Sequence, residues 1–188
     1  MRNPVAAVLA ACVILAGACG GPASSDEVPT GFGTVPYSAE QVIRRAGAES
    51  VQKLYHMPGH LRIEGPNGLS FLDIANKRMW VKSPGQTGYM AFPFDPASVS
   101  GISADGTFKS TEVGEDTVEG LKATKYSFEM TSGQMTGKGF YWLTSDGVRI
   151  KQEGETKFTP DEPSVPFSIE LRNIQFGPQD PSLFKLPK

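Results

Sequence analysis

The chain has 188 residues, with 18 Lys+Arg against 20 Asp+Glu and a formal net charge of -2. That balance leaves no basic field to hold nucleic acid. Hydrophobic residues at 39% allow a packed core but not a multi-span membrane protein, and 21 Gly with 15 Pro point to turns and β structure rather than long helices.

The N-terminus comes first. Arg2 gives a positive start, and Val5 to Cys19 is apolar or small throughout. At about fifteen residues this run is short of the roughly twenty that a spanning helix needs. It reads as a secretory h-region before a small-residue cleavage site. Ala16-Gly17-Ala18-Cys19 resembles a bacterial lipobox, in which the cysteine becomes lipidated and N-terminal. Leu9-Ala10-Ala11-Cys12 fits the usual leucine spacing better. It leaves only Val5 to Ala11 as apolar core, however, and strands Val13 to Leu15 at the new terminus. Cys19 is therefore the preferred lipidation site, with an unlipidated cut near Ala18 as the alternative. Residues 1–18 form a lipoprotein-type signal peptide. Residues 19–35 form a flexible tether with an r.m.s. span of roughly 20 Å. Acyl chains of the palmitate kind on the cysteine anchor it to a membrane facing the periplasm. Gly20 is not the Asp that marks inner-membrane retention in enterobacteria-like sorting, which favours the outer membrane in such a host. Both cysteines, Cys12 and Cys19, precede Gly20, so the rest of the chain has no disulfide, CxxC or cysteine zinc site.

Residues 36–188 make one domain. Ser38–Ile43 either starts a helix capped by Ser38 or forms an edge strand, and the strand is preferred. Leu61–Glu64 and Leu69–Ile74 flank a Gly-Pro-Asn-Gly turn. Ala75-Asn76-Lys77 leads into Arg78–Lys82, and Ser83-Pro84-Gly85 precedes Tyr89–Phe92. Pro96–Ile102 allows one helical turn. The acidic run Glu112–Glu119 reads as a solvated hairpin, because it lacks the ligand spacing and Gly of an EF-hand loop. Leu121–Met130 ends at Ser132-Gly133. Phe140–Thr144 and Val148–Gln152 flank Asp146-Gly147, the clearest hairpin signal in the chain. Phe167–Phe176 is the last long strand, with a bulge expected near Arg172-Asn173, where the apolar parity changes. Turn signals at this spacing predict an antiparallel sheet protein with little helix. Val148 and Ile150 alternate with Arg149 and Lys151, as in a strand with one wet face. Phe140–Leu143 and Leu69–Ile74 are apolar on both faces. That pattern implies either a ligand groove or a second layer of the protein's own elements.

Met57-Pro58-Gly59-His60-Leu61-Arg62-Ile63, the Pro-Asn-Gly turn, Asp73-Ile74 and Met79-Trp80-Val81 resemble the opening strands of LolA-like periplasmic proteins. The second half is similar to a LolA-like family of unknown function. The matching pieces are Val113–Gly120, Thr124-Lys125-Tyr126, Gly139–Thr144 and Gln179–Phe184. The resemblance implies a single curved antiparallel sheet forming an unclosed half-barrel. Its apolar concave face would take a lipid or the acyl chains of a lipoprotein. It also places Arg62 where such carriers hold a cavity lid shut. Trp80, Tyr89, Phe92, Phe128 and Trp142 are the candidate apolar lining, with plain core packing as the alternative for each.

Other chemistry finds little support. His56 and His60 flank a helix-breaking Pro-Gly, and no third metal ligand is signalled. No GxSxG elbow, P-loop or GxGxxG sequence occurs. The expectation is an envelope lipoprotein that is not an enzyme, needs no cofactor or metal, and binds an apolar ligand. The alternative is a structural or sensory module that binds an envelope protein partner.

Overall fold

The computed structural model describes residues 32–94 and 106–185. The expected signal peptide, Cys12, Cys19, residues 19–31 of the expected tether and the expected turn at Pro96–Ile102 lie outside them.

Eleven strands form among the described residues: β1 (Tyr37–Arg45), β2 (Ala48–Met57), β3 (His60–Gly65), β4 (Gly68–Asp73), β5 (Arg78–Lys82) and β6 (Met90–Pro93), then β7 (Thr107–Val118), β8 (Leu121–Ser132), β9 (Met135–Leu143), β10 (Arg149–Lys157) and β11 (Val165–Phe176). A short 3₁₀ turn, Pro181–Phe184, follows. The strands make one antiparallel sheet in the order β6-β5-β4-β3-β2-β1-β11-β10-β9-β8-β7. Each neighbour is the next strand in the chain, except that β1 pairs with β11. The sheet is not closed into a barrel, since β6 and β7 end it on either side. This is the unclosed half-barrel architecture with little helix.

The preference for strand at Ser38–Ile43 holds, but its position at an edge does not. β1 is central, hydrogen-bonded to β2 on one side and β11 on the other. The expected bulge is present. Ser38 pairs with Gln175 and Glu40 with Arg172, so β11 carries one extra residue there. Asn173 supplies the turn of backbone with φ 52°, a conformation asparagine tolerates, and its amide donates to Glu40 Oε2 at 2.8 Å. The Asp146-Gly147 turn forms with Gly147 at φ 76°. The acidic run lies on the β7–β8 hairpin, with its charged side chains exposed.

Period-two alternation sorts the side chains into two faces. One face carries Tyr37 and Ala39 on β1, Leu54 and His56 on β2, Leu61 and Ile63 on β3, Leu72 on β4, and Met79 and Val81 on β5. Phe128, Tyr141, Phe167, Ile169 and Leu171 continue it across the other half. All of these are buried. The opposite face is largely charged and ordered in alternating signs. Lys109, Glu129, Lys138 and Glu155 form one such row across β7 to β10. Arg172, Glu40, Lys53 and Glu64 form another across β11 to β3. Opposite charges placed directly across strands stabilise the pairing modestly and suppress slipped registers.

The backbones of β9 and β10 approach very closely where Gly139 faces Gly154. A Cβ on Gly139 would run into the carbonyl oxygen of Glu153 and lie 2.6 Å from the Gly154 Cα. A Cβ on Gly154 would meet the Lys138 carbonyl. Phe128 and Phe167 flank this glycine pair on the two outer strands, both buried. Gly139→Ala should cost at least about 3 kcal/mol, because backbone rather than a flexible side chain would have to move. Urea unfolding with an unchanged m-value would check it.

Residues 32–35 belong to the folded part rather than to the tether. Phe32 is buried and bridges to Val148, and the Thr34 amide donates to the Asp146 carbonyl. His56 holds this segment down. Its Nδ1 lies 3.0 Å from the Val35 carbonyl, and its ring packs between Phe32 and Tyr37. Burial lowers the His56 pKa to about 4. Between pH 6.5 and 4 the unfolded chain therefore takes up a proton that the folded chain refuses. Stability rises with pH across that window and is level above it. A loss of about 2 kcal/mol on going from pH 7 to pH 5 is expected from this group. Denaturant titrations at the two pH values should show that loss, and His56→Phe should remove it.

Candidate functional site

The residues singled out in the sequence fall on both faces. Phe92 and Phe128 lie on the core face, by the pairing of Phe92 with Met79 and of Phe128 with Gly139. Phe128 is buried against Phe108 and Tyr141, at centroid distances of 5.9 and 6.2 Å. Trp80 and Trp142 lie on the opposite face. Trp80 stands edge-on to Phe71 at 6.0 Å. Tyr89 precedes β6, and the Lys82 ammonium sits over its exposed ring at 5.7 Å. The five aromatics thus do not converge on one cavity.

Two patches explain why some strands are apolar on both faces. Around Phe71, the 3₁₀ turn folds back and lays Phe184 against it, edge-on at 6.3 Å. Asp180 caps that turn by accepting from the Ser182 amide at 2.8 Å. Around Trp142, the Lys125 and Lys151 ammoniums lie 4.9 and 4.6 Å from the ring, and the indole Nε1 donates to Asp116 Oδ2 at 2.8 Å. The indole bond and a second one from the Thr117 amide hold the Asp116 carboxyl below its usual range. Trp142 is buried by lysine stems rather than by a second sheet.

Arg62 lies on the charged face. Its Nε donates to Glu64 Oε1 at 2.7 Å and its Nη1 to the Leu183 carbonyl at 3.1 Å. It clasps the C-terminal turn to β3. His56 and His60 face opposite ways, because His56 pairs with Leu61 and Met57 with His60 across the β2–β3 hairpin. They cannot share a metal ion. Among the described residues no group of three or more His, Cys, Asp or Glu could hold one.

The core face also carries polar groups that no sequence pattern signalled. Gln41, Gln52, Gln152 and Arg149 are all buried on it. The Gln52 amide donates to Gln41, and Arg149 Nη1 donates to Gln152 Oε1 at 2.9 Å. Arg149 was expected on a wet face. The register slips between Arg149, opposite Leu143, and Lys151, opposite Trp142, so one extra residue turns Arg149 inward while Lys151 stays outside. The partly buried apolar side chains of the core are spread along it, with Ile43 on β1 and Ile174 on β11 in the middle of the sheet. Phe92 and Phe94 lie on the β6 side, and Tyr126 and Met130 on β8. Grooves of about 760 and 460 Å³ open on the charged face, over Lys138, Glu155 and the glycine pair.

No protein-family model matches the chain, and no curated protein sequence matches it. Among solved structures it is similar to MucB of Pseudomonas aeruginosa in complex with MucA, at 17% identity and a TM-score of 0.48. The match covers 81% of this chain and 56% of that one. It is also similar to a domain from Vibrio parahaemolyticus assigned to outer membrane lipoprotein sorting, at 9% identity and a TM-score of 0.37, covering 81% and 90%. A protein from Parabacteroides distasonis assigned as a lipoprotein matches at 11% identity and a TM-score of 0.36, covering 78% and 98%. This chain spans just over half the length of the MucB chains.

Arg62→Ala should release the C-terminal turn at a cost of about 1 kcal/mol. Hydrogen exchange should speed up over residues 177–185, while the β3–β4 amides stay protected.

Proposed function

We propose that this chain is a cell-envelope lipoprotein, anchored through an acylated Cys19, that binds an apolar ligand on the core face of its half-barrel. The ligand is a lipid or the acyl chain of a lipoprotein. The protein sequesters or passes on that ligand without chemical conversion. One observation carries the reading: an apolar sheet face left unclosed among the described residues, with Phe92, Phe94, Tyr126 and Met130 among its partly exposed side chains near the break. A sheet this large that buries one face and does not close has an apolar entrance, and a domain on a membrane tether is placed to use it. The absence of an Asp after Cys19 favours the outer membrane.

The competing role is that of a scaffold or sensor for an envelope protein. The feature in its favour is the groove on the charged face, where Phe140 is exposed beneath the Lys125 ammonium at 4.2 Å.

Native mass spectrometry of the Cys19→Ser chain, exported to a periplasm and purified without detergent, distinguishes the two. The expected spectrum carries added mass in the range of a fatty acid or phospholipid. A clean apo mass, with no uptake from added lipid, would overturn the lipid reading and leave the scaffold.

A further inference from the structure

Arg149 is 4% exposed, and its guanidinium has no carboxylate partner among the described residues. Of its five N–H donors, one hydrogen bond is made, to Gln152, and Nε is buried without a partner. Its remaining contact is with the face of Tyr141, 4.7 Å from the ring centroid. A buried cation costs several kcal/mol unless an anion meets it, and buried charges in folded proteins are paired or bind ligands. Among the described residues the salt bridges all lie elsewhere, at least partly exposed.

The surroundings fit an anionic amphiphile. Tyr141 stacks on Tyr126 at 5.1 Å, with ring planes 12° apart, so a row of rings runs from Arg149 towards β7, the free edge. Phe108 and Phe128, stacked at 5.9 Å, are buried beside that row, and Tyr126 and Met130 stay partly exposed over it. Gln152 adds an amide next to the cation, where an oxyanion would sit. We infer that Arg149 is the headgroup anchor of this site, taking the carboxylate or phosphate oxyanion of an amphiphile whose chain runs along the partly buried Tyr126 and Met130 towards the β7 edge. This assignment rests on the lipid-binding role proposed above. It narrows the ligand from any apolar molecule to one that ends in an anion. Burial pushes the guanidinium down to about 10, which leaves it charged at physiological pH and ready to pair.

The test compares palmitate with methyl palmitate, equal in chain and differing in charge, on the exported Cys19→Ser chain and on Arg149→Met. Binding is read by calorimetry. Palmitate should bind Cys19→Ser at least about tenfold more tightly than the ester. Arg149→Met should erase that preference by weakening the acid and not the ester. Methionine replaces a buried unpaired cation with an apolar side chain, so the melting temperature of the unliganded variant should hold or rise. The acid-over-ester preference of the Cys19→Ser chain tests the assignment even if Arg149→Met does not fold. Equal affinity for acid and ester would overturn the role of Arg149 and leave the lipid-binding role standing. No binding of either would overturn both. Stabilisation by inorganic phosphate alone, lost in Arg149→Met, would overturn the amphiphile in favour of a small free anion. Dodecyl phosphate bound more tightly than palmitate, again through Arg149, would support the assignment and make the headgroup a phosphate.

Discussion

The pairing of β1 with β11 turns two meanders into one sheet. Without it, β1 to β6 and β7 to β11 would be two separate sheets, each with two free edges. The pairing joins the two ends of the folded chain, with Tyr37 near Phe176 and Arg45 opposite Phe167. Closing a loop of that length costs about 4 kcal/mol in chain entropy. Burial of Val42, Ile169 and Leu171 on these two strands offsets it, at about 1.5–3 kcal/mol for each large side chain. The same pairing fixes where the sheet ends. With the termini in the middle, the free edges fall at β6 and β7, on either side of the chain segment that links the two halves.

Those edges are poor templates for another strand. β6 is four residues long and ends in Pro93. β7 is long, but it carries Lys109, Glu112, Glu115 and Asp116, and a bulge between Glu112 and Gly114 twists it. The sheet can therefore stay open without inviting edge-to-edge association.

At Gly139 and Gly154 two backbones approach more closely than any side chain permits. Phe128 and Phe167 lie on the strands to either side. This close approach and the burial of Arg149 both lie in the β9–β10 hairpin. That hairpin places on the core face a buried charge with no carboxylate partner among the described residues.

Local structure was legible in the sequence wherever one residue dictates one backbone conformation. Asp146-Gly147 announced its hairpin, and the parity change at Arg172-Asn173 announced the β11 bulge. Regular turn signals gave an antiparallel sheet. β2 and most of β7 carried no such signal. Ala48–Met57 mixes Glu, Gln and Lys among few apolar residues, and β7 is a charged edge, so neither alternates cleanly. Tertiary structure alone decided which strands are central, because the β1–β11 pairing is long-range and leaves no trace in local pattern. It also decided which way Arg149 points. A single extra residue in β10 reverses the parity of everything before it, and alternation read along the sequence assigns that arginine to the solvent. It separated Trp80 and Trp142 from Phe92 and Phe128 in the same way, since composition counts apolar residues while register assigns them to faces.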